Sequence, residues 1–497
     1  MNKRLKLILV VVVAIAATTN PSQAQTRSYK RGLAYNLTSE KDIEVLAPGV
    51  SWFYNWGQKP EADKAALDAN RLDFLPMAWN DQFSKADIRN YLAANPHIKY
   101  ILGFNEPNFT KEANMTPKQA AAKWHLVEEI AQEFGLKIVG PAVNYAPAGG
   151  AVKDGSTTYT DPIKYLDDFF SARPESKVDF IAVHCYMNYI GGVKDYISKF
   201  KKYGKPIWLT EHCGWEGGLT YAMQRNLLAE SVLYLETDPD IYRYSWFIGR
   251  TDAANEWPHM QLLEHTRPEL TELGLIYVNM SSFDADFYFQ IDQVIPAQHF
   301  IDAHEWTHLE KTTDAEGTLN LYEFTKDRWV AYQVELPEPG LYNIEFRYAA
   351  PAATQIKATA SGQTTQHTLP KTGTFASWGN NILQMQLPAG KQTLRIDVTQ
   401  GNAKINWLKI TSATPTAIGH NAKEDIPAWP NPVDDVLNIT PSANMRAITL
   451  TDESGKPVYR ATAPIHRIEM EQWPKGIYLL TIEYADTAAR TIKIIKK

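Results

Sequence analysis

Two glutamates stand where apolar runs stop. Tyr100 to Phe104 is a strand-forming stretch that runs into Asn105-Glu106-Pro107, and Pro206 to Thr210 is a second that runs into Glu211. A carboxylate just past the C-terminal end of a buried strand is where (β/α)8 enzymes keep their catalytic groups. Two of them can split a glycosidic bond, one protonating the leaving oxygen and the other attacking the anomeric carbon. For either glutamate alone, a polar loop start is the plainer reading, because strand ends are commonly polar. The pair, each in an aromatic neighbourhood, favours the chemistry.

Residues so far apart in sequence need a frame that makes them converge. Eight apolar runs supply it, at residues 32–37, 51–54, 74–78, 100–104, 137–140, 180–184, 207–210 and 242–246. Amphipathic helical patterns lie between them, clearest over 117–134 and 220–236. Thr116 before Pro117 is a helix start, with threonine as the cap and proline in the first turn. Residues 25–284 are therefore expected to form a (β/α)8 TIM barrel. Its fourth and seventh strands would bring Glu106 and Glu211 together across the mouth.

Past residue 284 the pattern becomes short alternating runs separated by turn signals such as Pro337-Glu338-Pro339-Gly340. This predicts an antiparallel β-sandwich over 285–412. A polar linker, 413–425, leads to a small all-β domain at 426–497. Few contacts are expected across residues 282–290 or the linker, so the domains should fold independently.

Composition narrows the setting. The chain carries 14 Trp and 25 Tyr, an excess that suits stacking on sugar rings and equally suits large cores. Residues 1–24 read as a secretory signal: Lys3, Arg4 and Lys6, then an apolar stretch, then Ser22-Gln23-Ala24 as a cleavage site. That apolar stretch is too short to span a membrane, and no later segment reaches the roughly 20 residues required. Its removal takes away three cations and no acid, moving the formal net charge from −6 to −9. With no basic stripe, nucleic acid is not an expected partner. Cys185 and Cys213 admit one disulfide or two buried thiols. His184, His212, His259 and His265 lack zinc-ligand spacing, and no catalytic metal or cofactor is expected.

His184 and Tyr186 alternate on strand six, so both should face the mouth. His184 admits two readings, a satisfied core histidine or a group that orients the nucleophile or binds the sugar. Trp52, Trp79, Trp215 and Trp246 fall at strand ends on the same rim and, as a group, suggest sugar platforms.

Gly103-Phe104-Asn105-Glu106-Pro107-Asn108, Val183-His184-Cys185-Tyr186 and Trp208-Leu209-Thr210-Glu211 together resemble glycoside hydrolase family 128, a clan A family consisting mainly of β-1,3-glucanases. The likeness covers roughly residues 30–282. It implies Glu106 as acid/base, Glu211 as nucleophile and Asn105 as a hydrogen-bond partner of the sugar 2-hydroxyl. Cys185 and His212-Cys213 depart from the aromatic neighbours expected there.

The sandwich resembles a family 6 carbohydrate-binding module through Trp329-Val330-Ala331-Tyr332, the 372–378 loop and Ala403 to Trp407. That likeness implies a loop site in which Trp378 and Tyr322 sandwich a sugar and Asn406 hydrogen-bonds it. It also implies a structural calcium, although Gln298 stands where an acidic ligand is expected. The last domain, with Pro430-Asn431-Pro432, Val436 to Ile439 and Gly476-Ile477-Tyr478, resembles the C-terminal sorting signal of the type IX secretion system. The expectation is a secreted or surface-held retaining hydrolase of β-1,3-glucan such as laminarin. Same-clan hydrolysis of a mixed-linkage glucan or algal galactan, and a non-catalytic glycan-binding protein, remain the alternatives.

Overall fold

The structure is a computed structural model that describes residues 25–215, 217–251, 259–413, 428–440, 444–453, 455–462, 465–485 and 489–497. The expected signal segment, and the expected linker beyond Ala413, lie outside them. The chain divides into two compact units, one up to Ala413 and one from Thr414.

The first unit begins with eight parallel strands: β1 (Arg31–Ala34), β2 (Trp52–Tyr54), β3 (Asp73–Phe74), β4 (Tyr100–Leu102), β5 (Lys137–Val143), β6 (Phe180–Cys185), β7 (Ile207–His212) and β8 (Ile241–Trp246). They pair in the order β3-β2-β1-β8-β7-β6-β5-β4. The third expected strand is cut to two residues because Pro76 cannot donate to a ladder. The barrel nevertheless closes there: Met77 bridges Leu102, Ala78 N donates to Leu102 O at 2.9 Å, and Leu102 N donates to Pro76 O at 3.0 Å. β6 and β7 are buried at every position, as parallel strands covered on both faces must be. Below the mouth, the rings of Trp52, Tyr100, Phe180 and Trp208 fill the interior. The Arg243 guanidinium lies 4.8 to 5.7 Å from three of their centroids.

The expected helix over 117–134 is two helices, Pro117–Lys123 and His125–Phe134, meeting at Trp124. Thr116 caps the first with a complete capping box to Gln119. The helix after β7, Tyr221–Thr237, starts at its predicted threonine cap, Thr220.

The sandwich places two six-stranded sheets face to face, with an apolar core from alternating inward positions such as Ile344, Phe346, Ile396 and Leu408. It is not loosely tethered, contrary to the expectation of few cross-domain contacts. Tyr322 packs against helix Tyr221–Thr237, where its hydroxyl bonds Asn226 Oδ1 and the Arg225 guanidinium stacks 4.5 Å from its ring centroid. His308 Nε2 meets Glu230 Oε1 at 2.8 Å, Lys311 N donates to Glu272 Oε1 at 2.9 Å, and Lys194 pairs with Glu305 at 2.7 Å. The second unit holds a three-stranded and a four-stranded sheet around its own core, including Leu437, Leu450, Leu480 and Ile482.

Truncating a buried aromatic costs about 3 kcal/mol, and here a cation–π contact goes with it. Tyr322→Ala is therefore expected to lower the Tm of the barrel–sandwich unit by several degrees in calorimetry. An unchanged Tm would show that this interface adds nothing to stability.

Candidate active site

After β4 the chain crosses the top of the barrel. Gly103 is required there, because a Cβ would come within 2.5 Å of the Trp124 ring. Asn105 N donates to Trp79 O at 2.9 Å, which anchors the segment. Glu106 follows with φ 39°, a left-handed conformation that costs energy for a residue with a side chain. Turns from Phe109 N to Glu106 O and from Met115 N to Pro107 O, both 2.9 Å, hold it in place. Strain retained in this way is typical of functional positions.

Glu211 is aimed by a different device. Trp208 points into the barrel, so strict alternation along β7 would turn Glu211 outward. The ladder slips instead: Leu209 pairs with Val183, and Glu211 pairs with His184. Thr210 is the extra residue, a bulge that returns Glu211 to the mouth.

There Glu211 is 4% exposed. Its Oε1 accepts from Tyr54 Oη at 2.9 Å and Trp56 Nε1 at 2.8 Å, and its Oε2 accepts from Tyr186 Oη. Burial, followed by the Glu211 charge, pushes both tyrosine hydroxyls well above their ordinary value, so they remain donors. His184 bridges the two carboxylates, with Nδ1 2.8 Å from Glu106 Oε1 and 3.3 Å from Glu211 Oε2. Its burial opposes charge, but Glu211 and Glu106 together outweigh that and raise the imidazole above its usual value. One oxygen each of Glu106 and Glu211 and one ring nitrogen of His184 all lie within 4.8 Å of one another.

A cleft of about 680 Å³ opens above them, lined by Trp56, Trp79, Tyr145, Tyr186, Trp215 and Phe247 among others. Asn105 and Glu112 also line it, with Asn105 Nδ2 donating to Glu112 Oε2 at 3.1 Å. Burial, and next the charge of Glu106, raises the Glu112 carboxyl.

The structure thus gathers Asn105, Glu106, His184, Tyr186, Glu211, Trp79 and Trp215 in one place. Trp246 is not with them. It is fully buried, its Nε1 donates to Met260 O at 2.7 Å, and it packs edge-on against His212. Trp52 is likewise core, packed against Trp208. Sequence reasoning missed Tyr54, Trp56 and Glu112. Tyr54 ends β2 and Trp56 lies two residues beyond it, so strand-end position could have flagged both, whereas Glu112 sits in a loop without pattern. The same trio of Glu106, His184 and Glu211 has the spacing of a metal site, the sole such group among the described residues. The Glu211 oxygens, however, are already committed to three protein donors. Cys185 and Cys213 are both buried and are not joined in a disulfide. His212 bonds Ser245 O through Nδ1, and burial lowers it to about 4, so it stays neutral.

In the sandwich, Trp378 is half-buried at the loop edge, with Nε1 3.2 Å from Thr313 Oγ1. Tyr322 is not beside it; the ring is spent on the barrel interface, so it is not a stacking partner. Asn406 is 1% exposed and gives its Nδ2 protons to Asp314 Oδ2 and Glu316 O, at 2.9 and 2.8 Å. It fastens the 312–318 loop rather than presenting its amide. Gln298 is buried with Oε1 unpartnered, and no cluster of three acidic or histidine ligands surrounds it among the described residues.

Residues 32–277 match a family model described as glycosyl hydrolase catalytic core, residues 300–412 that of carbohydrate binding module (family 6), and residues 427–497 that of secretion system C-terminal sorting domain. An endo-β-1,3-glucanase of glycoside hydrolase family 128, subgroup II, from Pseudomonas viridiflava is 36% identical, with 51% of this chain and 98% of that chain covered and a TM-score of 0.46. Its counterpart from Sorangium cellulosum is 38% identical over 50% of this chain and 98% of that one, with a TM-score of 0.44. Alkali-sensitive linkage protein 1 of Schizosaccharomyces pombe is 25% identical over 258 residues, which make up 51% of this chain and 45% of that protein. This chain therefore spans under half the length of that curated relative.

The raised imidazole makes a testable signature. Charged His184 should persist above its usual value of 6.5 in imidazole nitrogen NMR, and Glu106→Gln or Glu211→Gln should each pull that titration down. Because the folded value is raised, the stabilising contribution of His184 is complete below the unfolded value and disappears as pH rises through the folded one. A titration unmoved by both variants would mean that the carboxylates do not hold the charge.

Proposed function

Because the chain belongs to glycoside hydrolase family 128, we propose that it is an exported, retaining endo-β-1,3-glucanase acting on laminarin-like polymers by double displacement. The observation that carries this reading is the closeness of Glu106 and Glu211, which both reach one nitrogen, His184 Nδ1, at 2.8 and 3.3 Å. Retaining enzymes hold their carboxyl groups about 5 to 5.5 Å apart, while inverting ones leave about 6.5 to 9.5 Å for a water.

The hydrogen bonds assign the roles. Three donors fix the Glu211 oxygens for attack on the anomeric carbon. Among the described residues, the Glu106 carboxyl is bonded through one oxygen to His184, which leaves the other for a leaving group. In the first step Glu106 protonates the glycosidic oxygen as Glu211 forms a glycosyl ester. In the second, Glu106 takes a proton from water, which displaces Glu211 and restores both groups. Two inversions at the anomeric carbon leave the β-configuration unchanged. The rings of Trp56, Trp79 and Trp215 along the cleft suit stacking on successive glucose faces.

The sandwich would hold the polymer near the cleft through Trp378. The C-terminal sorting domain marks the chain for export, and release or surface attachment would follow.

Glu106→Gln and Glu211→Gln should each cut laminarin hydrolysis by at least about a thousand-fold. Azide should restore turnover to Glu106→Gln on substrates with good leaving groups. NMR of the wild-type reaction should show the β-anomer first. An α-anomer first, or unchanged hydrolysis by either variant, would refute the mechanism.

Trp378→Ala should weaken retention on insoluble β-1,3-glucan in pull-down assays and leave kcat on soluble oligosaccharides untouched. Undiminished retention would make the sandwich a structural partner of the barrel alone.

A further inference from the structure

One turn of the helix after β7 holds both the cleft rim and the sandwich. Gln224 is fully buried, and its amide bonds Gly214 twice: Oε1 accepts from Gly214 N at 2.8 Å, and Nε2 donates to Gly214 O at 3.1 Å. That fixes the loop carrying Trp215, which lines the cleft. The next two residues seat the sandwich, Arg225 by stacking on Tyr322 and Asn226 by accepting from the Tyr322 hydroxyl.

The contacts also set which way the sandwich points. A helix that follows a barrel strand starts at the mouth and descends from it. His308 meets Glu230, whereas Lys311 N reaches Glu272 Oε1, the same oxygen that Arg225 Nη1 approaches at 3.2 Å. Arg225 precedes Glu230 by five residues and so lies about 7 Å nearer the mouth. The strand His308–Lys311 therefore climbs toward the catalytic face, and the 312–318 loop follows at that end. Trp378 Nε1 is 3.2 Å from Thr313 Oγ1, and Thr313 is within about 7 Å of chain from Lys311. Trp378 and Trp215 thus share one end of the barrel–sandwich unit.

Met223 stands between them. It precedes Asn226 by three residues and Glu230 by seven, so it continues toward the mouth the same helix stripe on which the sandwich sits. It is 41% exposed, and Trp215 is 38% exposed, so both offer open apolar surface. Building on the glucanase reading of the cleft and of Trp378 above, we propose that one β-1,3-glucan chain lies across all three residues. It leaves the cleft past Trp215, crosses Met223 and reaches Trp378. The C–H faces of glucose pack on aromatic rings, and a thioether adapts to the same surface. These contacts are remote from the scissile bond and equal in ground and transition states, so they act on KM rather than kcat.

The test uses the full chain and a size-fractionated series of soluble β-1,3-glucan oligosaccharides, from laminaripentaose upward. Wild type, Trp378→Ala, Met223→Asp and Met223→Leu are compared, with Tm measured for each. In wild type, KM should fall by about ten-fold from the pentaose to the longest chains, because the second station is reached within one molecule. Trp378→Ala and Met223→Asp should each remove most of that fall. Met223→Leu keeps an apolar contact and should retain it.

A wild-type KM independent of chain length would overturn the proposal. A loss confined to Trp378→Ala would show a module that tethers the polymer with no path over Met223, and would overturn it as well. So would a Met223→Asp defect equal at every length, or a Leu variant no better than the Asp variant. Sugar binding by Trp378 is tested separately by retention on insoluble glucan, and double displacement by the anomer formed first.

Discussion

Two carboxylates within 4.8 Å of one another are the constraint from which the rest of this barrel follows. Were both charged, they would repel by about 3 kcal/mol at an effective dielectric near 20. Little else in a buried pocket could offset that, so the mouth is built from donors. Tyr54 and Trp56 from the end of β2 and Tyr186 from the end of β6 converge on Glu211, and His184 sits between the two acids. Each donor must be rigid for the arrangement to hold. That explains why the aromatic rings of the mouth pack edge to face, as Tyr54 does with Trp56 and Tyr186 with Phe247.

The same constraint accounts for two departures from regular backbone. Glu106 occupies a left-handed conformation, and β7 carries an extra residue just before Glu211. A regular strand end would have pointed one of these side chains elsewhere. Barrel strands that close firmly, with Arg243 enclosed by rings beneath, supply the stability against which such local costs can be set.

The sandwich extends the barrel rather than following it on a string. Its contacts run along the helix after β7, whose Gln224 also bonds Gly214 just past the Glu211 strand, through Arg225, Asn226 and Glu230. A module held this way presents its loops at one angle to the barrel. Polymer binding and cleavage would then be matched by geometry and not only by local concentration.

Much of this was legible from residue order. Period-two and apolar runs with capping residues located all eight barrel strands and the start of the helix after β7, because burial and end satisfaction act locally. The glutamates were visible because polar residues abruptly ending apolar runs are a one-dimensional signal. Trp246, Trp52, Tyr322 and Asn406 could not be placed that way. Whether a ring faces a cleft, a core or a neighbouring sheet depends on strand register and on what packs opposite, and neither is a property of a short segment. Trp246 looked like a rim residue and lies behind the rim; Tyr322 looked like a sugar platform and is covered by a helix almost a hundred residues away. Sequence alone determined which carboxylates could react and what barrel would carry them. Only the tertiary structure decided their separation, the donors on each and the orientation of the Asn105 amide, because those are set where distant segments meet.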